Sequence, residues 1–385
     1  MKSTFSTEIK FIGVNDKKID LFEGQFSVPN GISYNSYIIL DEKIAVLDSV
    51  EEKFGKEWLS NIKSELKEKT PDYLVVHHME MDHSANIKKF METFPTAKIV
   101  SSKLAFVMMK NYFGTDFSEN QIVVTEGNSL ELGKHKLNFV TAPNVHWPEV
   151  IMSYESTDKV LFSADGFGKF GALDVEEEWA CEARRYYFGI VGKFGDAVQA
   201  VLKKLSGIDV KIICPLHGPI LTENLEYYIN LYDTWSSYKP ETEGVFVAYT
   251  SVYGNTKKAV EKFAEILKAK GCPKVAVADL AREDMAECVE DAFKYGKIVL
   301  ATTTYTNDIF PFMKEFIHHL TDRNYQNRTI GLIENGTWNP MANKVMESMF
   351  TNSKNITILP TKVTIKTAMN DDTILSLEKL AEEIL

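Results

Sequence analysis

At 385 residues the chain is too long for one ordinary domain and predicts two or three. Its charged fraction of 25% and hydrophobic fraction of 44% are those of a globular protein, which excludes a disordered chain. With 43 Lys and Arg against 54 Asp and Glu, a formal net charge of -11, it lacks the basic footprint of a protein that coats nucleic acid. No apolar run approaches the roughly 18–20 residues that cross a bilayer, and the opening residues lack the apolar core of a signal peptide. A soluble, cytoplasmic protein with no nucleic-acid or membrane partner is expected. Cys181, Cys214, Cys272 and Cys288 form no C-x-x-C pair, so any metal must be held mainly by histidines and carboxylates.

In chain order, Tyr37–Leu40 and Lys43–Leu47 flank Asp41-Glu42 as a predicted hairpin, and Lys56–Lys67 reads as a helix. Strand-like runs follow at Tyr73–Val76, Lys98–Val100, Lys136–Val140, Lys159–Phe162 and Lys211–Cys214. Their irregular spacing indicates a layered α/β domain without fixing its topology. The run Tyr73–Val76 ends in His77-His78-Met79-Glu80-Met81-Asp82-His83. Carboxylates at the end of a buried strand need partners. In an extended loop His78, Glu80 and Asp82 can converge on one side, with His83 joining from the next turn. His146, Asp165 and His217 also lie just beyond predicted strands. A lone histidine there is more often structural than a ligand; four such strand ends in one domain reverse that expectation. His77 is read as support for His78, and His135, His318 and His319 as solvated or core residues.

The polar stretch Trp235–Gly244 reads as a linker, giving domains of 1–240 and 244–385. Beyond it, strands at Val245–Tyr249, Val275–Ala278, Ile298–Thr302, Ile330–Ile333 and Ile356–Leu359 alternate with helices. The first helical pattern carries Val260, Phe263 and Leu267, and the later ones fall at Glu283–Ala292, Pro311–Leu320, Ala342–Met349 and Thr373–Leu385. That alternation predicts a doubly wound parallel sheet. Three of its strand ends are rich in small polar residues. They are Ser251, Val252, Tyr253, Gly254, Asn255 and Thr256; then Thr303, Thr304, Tyr305, Thr306 and Asn307; then Asn335, Gly336, Thr337 and Trp338. Such loops offer donors to a phosphate and ribityl chain, with Tyr305 and Trp338 as candidates to stack on a flat ring.

The pattern H-x-E-x-D-H, a His 63 positions on, an Asp 19 further and a His 52 beyond resembles the metallo-β-lactamase-like αββα domain of flavodiiron proteins. Ser251–Thr256 is similar to the phosphate loop of flavodoxins, with Tyr253 at its middle Thr. The order of the two halves is also that of the flavodiiron family. By this resemblance His78, Glu80 and His146 hold one iron, Asp82, His83 and His217 a second, and Asp165 bridges them. Hydrolytic relatives usually carry His at the position of Glu80 and bind zinc; the extra oxygen donor favours iron. The resemblance further implies FMN, a rubredoxin-type electron donor, and reduction of O2 to water or of NO to N2O. It implies a head-to-tail homodimer or a dimer of dimers. A zinc hydrolase fused to a flavodoxin module is the alternative. The interval between Asp165 and His217 is short for the family, so the loop Asp174–Trp179 is expected to line the pocket differently. Trp147 is expected to wall the pocket or simply to pack.

Overall fold

Tyr37–Ile39 and Ala45–Leu47 pair antiparallel, Tyr37 opposite Leu47, as their predicted hairpin requires. In the computed structural model, which describes residues 6–385, they belong to a six-stranded mixed sheet. Its order is Ile9–Phe11, Tyr37–Ile39, Ala45–Leu47, Tyr73–Val75, Lys98–Ser101 and Gln121–Val123. A second sheet runs Ser129–Glu131, Lys136–Thr141, Ile151–Glu155, Val160–Phe162 and Ile212–Cys214. The two sheets share one core: Tyr37, Leu47, Val75 and Val100 of the first meet Leu137, Phe139, Ile151 and Phe162 of the second. Alternate residues of the same strands, Ile38, Val46, Leu74 and Ile99, are equally buried. The first sheet is therefore covered on its outer face too, as a layered sandwich demands. The helix Gly55–Leu66 buries Trp58, Ile62 and Leu66, and Trp58 packs on Phe90 of the helix Ile87–Thr93.

Strand direction decides where the polar strand ends go. Tyr73–Val75 runs parallel to both neighbours, and Val160–Phe162 runs parallel to Ile212–Cys214. Lys136–Thr141 and Val160–Phe162 are each antiparallel to Ile151–Glu155, so within the second sheet Thr141, Phe162 and Cys214 end at one pole. The segments that follow these strands carry His146, Asp165 and His217.

The chain divides between Asp233 and Thr234 into two compact units, earlier than the polar stretch that reads as a linker. Trp235 and Tyr238 are buried. The Trp235 indole donates to Glu241 at 2.8 Å, and Arg328 donates to the Tyr238 carbonyl at 2.7 Å. Those residues are packing groups of the second unit.

The second unit is a parallel sheet in the order Val275–Asp279, Thr242–Tyr249, Tyr295–Tyr305, Arg328–Asn335, Ile356–Ile365. This 2-1-3-4-5 order is that of flavodoxin-like sheets. The helices Asn255–Ala269 and Asp371–Ile384 pack Val260, Phe263, Leu377 and Leu380 against Val245, Val247 and Val299. Across the sheet, Phe246 meets Phe316 of the helix Pro311–Asp322. The last strand continues to Ile365, well beyond the predicted Leu359. Pro360 does not end it because the strand lies at the sheet edge and its pairing shifts register between Ile330 and Leu332, where a missing N–H is tolerated. No helix among the described residues is long and apolar enough to cross a membrane.

Phe263 is fully buried at the centre of this second core. Phe263→Ala is expected to lower the stability of the second unit by about 3–5 kcal/mol, read from urea unfolding.

Candidate metal centre and a donor-rich cleft

Val75 is followed by a short extended segment and then by one helical turn, Met81–Ser84. The Ser84 hydroxyl donates to the Met79 carbonyl at 2.8 Å and closes that turn. This departs from the extended loop that would aim His78, Glu80 and Asp82 at one centre. The turn instead divides them. His78 and Glu80 gather with His146 and Asp165; Asp82 and His83 gather with His217. Within each group the ligand atoms lie within 4.8 Å of one another.

Asp165 joins the groups. Its Oδ2 lies 3.1 Å from His146 Nε2 and 3.3 Å from His78 Nε2. Its Oδ1 lies 3.5 Å from His83 Nε2 and 3.8 Å from His217 Nε2. Asp82 Oδ2 approaches His83 and His217 at 3.1 and 3.2 Å, and Glu80 Oε2 approaches His146 and His78 at 3.1 and 3.2 Å.

Burial opposes charge on His78, His146, Asp82 and Asp165, but attraction to their oppositely charged neighbours overrides it. His78 is raised well above the usual imidazole range by Asp165, Glu149 and Glu80, and His146 is raised to about 9 by Asp165 and Glu80. Asp82 and Asp165 are held well below the usual carboxylate range by the neighbouring imidazoles. The carboxylates demand positive charge among them, which protons on the imidazoles or cations between the ligand atoms supply. Both oxygens of Asp82 and both of Asp165 are buried without a hydrogen bond. Four imidazoles with three carboxylates form a set that fits iron, the oxygens being harder donors than zinc sites favour.

Neighbouring groups aim the imidazoles. Glu149 Oε1 sits 2.9 Å from His78 Nδ1 and also accepts the Met79 N–H. The Ser33 carbonyl accepts from His217 Nδ1 at 2.7 Å. Both contacts place the ring proton on Nδ1 and leave Nε2 free as a donor atom. His77 points elsewhere: Asp48 holds its Nδ1 at 2.5 Å and Ser153 its Nε2 at 2.7 Å, so it ties the two sheets together below the site. Trp147 stands edge-on to His78, and Phe22, Tyr34 and Tyr186 surround His217.

Sequence reasoning missed Glu149, though it ends the His146-Trp147-Pro148-Glu149 run. It also missed Glu23, a turn residue raised to about 7 by burial and by the charge of Glu80; nothing in its surroundings in the sequence marks it. The loop Asp174–Trp179 contributes no ligand atom to either group. Asp174 pairs with Lys17, Glu177 with Lys169, and Trp179 packs on Tyr228.

In the second unit the three polar strand ends enclose a cleft of about 380 Å³. Of the residues predicted to line it, Gly254 alone does not; Asn339 and Thr367 do so in addition. Gly254 adopts a left-handed φ of 88° and caps the helix Asn255–Ala269, a conformation that favours glycine. The Ser251 hydroxyl is engaged by the N–H groups of Gly254 and Lys257. Asn335 exchanges hydrogen bonds with the Thr367 backbone, which draws the segment after the last strand into the wall. The hydroxyls of Thr256 and Thr303 are buried without partners. Tyr253 and Trp338 stand 93% and 82% exposed at the rim. Spare hydroxyl donors, a helix N-terminus and aromatic faces fit a flavin with its phosphate.

A family description for ODP family beta lactamase matches residues 32–218, and one for a flavodoxin domain matches residues 246–364. A nitric oxide reductase from Moorella thermoacetica is 30% identical over 351 residues, 88% of this chain and 87% of that protein. A putative diflavin flavoprotein A 2 from a Synechocystis species is 32% identical over 276 residues, 70% of this chain but 47% of that longer protein. Among solved structures, rubredoxin oxygen:oxidoreductase from Desulfovibrio gigas superposes with a TM-score of 0.92 at 25% identity, covering 100% of this chain and 98% of that one. Joined in this order, an iron-fitting cage and a flavin-fitting cleft complete the case: the chain belongs to the flavodiiron protein family, oxidoreductases that carry iron and a flavin.

Proposed function

We propose that this chain takes electrons from a rubredoxin-type donor protein and delivers them to dioxygen, forming water, to nitric oxide, forming nitrous oxide, or to both. FMN would lie in the cleft and two iron ions in the cage. Bound there, the two ferrous ions and the reduced flavin together supply the four electrons that dioxygen needs, while two suffice to couple two nitric oxide molecules. The observation that carries this reading is Asp165, whose two oxygens face two separate ligand groups. The names of the relatives support it: one is a nitric oxide reductase and another a rubredoxin oxygen:oxidoreductase. They favour it over the zinc-hydrolase alternative, as does the carboxylate of Glu80.

In this reading His78, Glu80 and His146 would hold one iron, Asp82, His83 and His217 the other, and Asp165 would contribute to both. Glu149 and the Ser33 carbonyl orient His78 and His217. Phe22, Tyr34, Trp147 and Tyr186 narrow the pocket and limit water. Burial pushes the Tyr186 phenol well above its ordinary range, so it stays a neutral donor beside His217. Thr256, Thr303 and the helix N-terminus would receive the FMN phosphate, and Tyr305 and Trp338 would stack on the ring. A head-to-tail homodimer, or a dimer of dimers, would bring one subunit's cleft to the other's cage; the bare aromatic rim of the cleft supports such a partner. The cysteines form no disulfide among the described residues, which supports a reducing, cytoplasmic setting.

Anaerobic reduction of the iron- and flavin-loaded protein, followed by stoichiometric addition of each gas, tests the function. Reoxidation by at least one gas is expected, without peroxide release from dioxygen. Full turnover retained in a Glu80→Ala, Asp165→Ala double variant would sink the proposal. Glu149→Ala is expected to weaken iron retention about 10–100-fold in chelator competition, the fold being unchanged by circular dichroism. Trp338→Ala is expected to weaken flavin binding by about 0.5–1.5 kcal/mol, read by titration of apoprotein with FMN.

A further inference from the structure

We propose that His135, Asp158 and Glu8 form a binding site for one divalent transition-metal ion, separate from the cage. One ligand atom from each lies within 4.8 Å of the other two. Unlike the cage residues, these precede their strands: Glu8 precedes Ile9–Phe11, His135 precedes Lys136–Thr141, and Asp158 shortly precedes Val160–Phe162. Within the second sheet, His135 and Asp158 therefore mark the pole opposite His146 and Asp165.

His135 is the informative residue. It is 0% exposed. Asp41 Oδ2 lies 2.9 Å from its Nδ1 and also accepts its backbone N–H at 2.6 Å. A carboxylate on that side assigns the ring proton to Nδ1 and fixes the ring. Nε2 is then a buried lone pair with no hydrogen-bond partner, 3.7 Å from Asp158 Oδ2. A lone pair facing two carboxylates is an unfavourable arrangement that a proton on Nε2 or a cation among the three groups resolves. At 3.7 Å from Asp158 the gap is too long for a hydrogen bond through that proton but leaves room for an ion. One imidazole held by a carboxylate, with two further carboxylate oxygens, is a hard donor set that takes divalent first-row ions from manganese to zinc. Zinc serves as the probe because it binds such sites more tightly than manganese or ferrous iron.

The carboxylates have other contacts, none of which reaches Nε2. The Ser6 hydroxyl donates to Asp158 Oδ2 at 2.6 Å, the Thr7 hydroxyl to Glu8 Oε2, and Lys134 lies 3.5 Å from Glu8 Oε1. Lys134, Glu8 and Asp158 are all partly exposed, which leaves an entry path. An ion there would link the edge strand of the first sheet, through Glu8, to two turns of the second. It would add stability through binding to the folded state.

The test uses the iron- and flavin-loaded protein, equilibrated with zinc chloride, desalted, and assayed for metals by mass spectrometry. The wild type is expected to retain one zinc per chain with its iron content unchanged, and to melt several degrees higher than without zinc. His135→Asn and, separately, the Glu8→Gln, Asp158→Asn pair should lose the zinc and the shift while keeping iron and gas-reducing turnover. The pair alters only partly exposed groups, so it decides the matter even if His135→Asn does not fold. Zinc absent from the wild type, matched by lost iron, or retained equally by the variants overturns the proposal.

Discussion

Four imidazoles and three carboxylates converge in the first unit, most of them fully buried, and the folded chain tolerates them only because each charge faces its opposite. Asp165 is the centre of that balance. With both oxygens free of hydrogen bonds and an imidazole of each group on either side, it couples two sets that would otherwise be independent. A buried carboxylate left without compensation costs several kcal/mol. The layered sandwich around it therefore depends on bringing distant segments to one place. Parallel pairing of Val160–Phe162 with Ile212–Cys214 brings Asp165 and His217 together; parallel pairing of Tyr73–Val75 with its neighbours carries His78 into the same cage.

Holding the ligands is a second task, and groups outside the cage perform it. Glu149 and the Ser33 carbonyl each fix one ligand imidazole. His77, beside the cage, spans the sheets: it reaches Asp48 beside the first sheet and Ser153 in the second. Lys169 and Glu177 form a buried pair within the loop after Asp165, and the Lys169 side chain packs over Gly218. The segment that delivers Asp165 is thus fastened to the one that delivers His217. Charge, geometry and sheet registration reinforce one another here, which is the agreement across levels expected of a foldable sequence.

What could be read from the sequence follows from how local each signal is. The second unit was legible almost element by element, because a parallel sheet buried on both faces writes itself as short apolar runs separated by amphipathic helices. The cage residues were legible because histidines and carboxylates at strand ends are poor core material. Glu149, Glu23 and Thr367 were not, since each acts through a contact made by the fold across a large sequence separation. His135 reads as solvated or core, and its turn position gives no hint that Asp41 holds its Nδ1 while Asp158 stands 3.7 Å from its Nε2. The boundary near residue 234 was obscured because Trp235–Gly244 has the composition of a linker while two of its aromatics are core groups.

The two sites settle their charge in opposite ways. The cage gathers full charges, most of them buried, so its stability is tied to the positive charge that balances its carboxylates. Among the described residues no Lys, Arg or His lines the cleft; its donors are hydroxyls, amides and the N-terminus of the helix Asn255–Ala269. Such a surface receives a phosphate through aligned partial charges. It needs no buried countercharge when vacant, because Ser251 and Thr304 hydroxyls are already occupied by the backbone N–H groups of Gly254, Lys257, Met341 and Ala342. The cleft is therefore built from the sheet and helix ends themselves and does not rely on its ligand for cohesion. The cage is the costlier construction, and it is accordingly the one that recruits supports from both sheets of its unit.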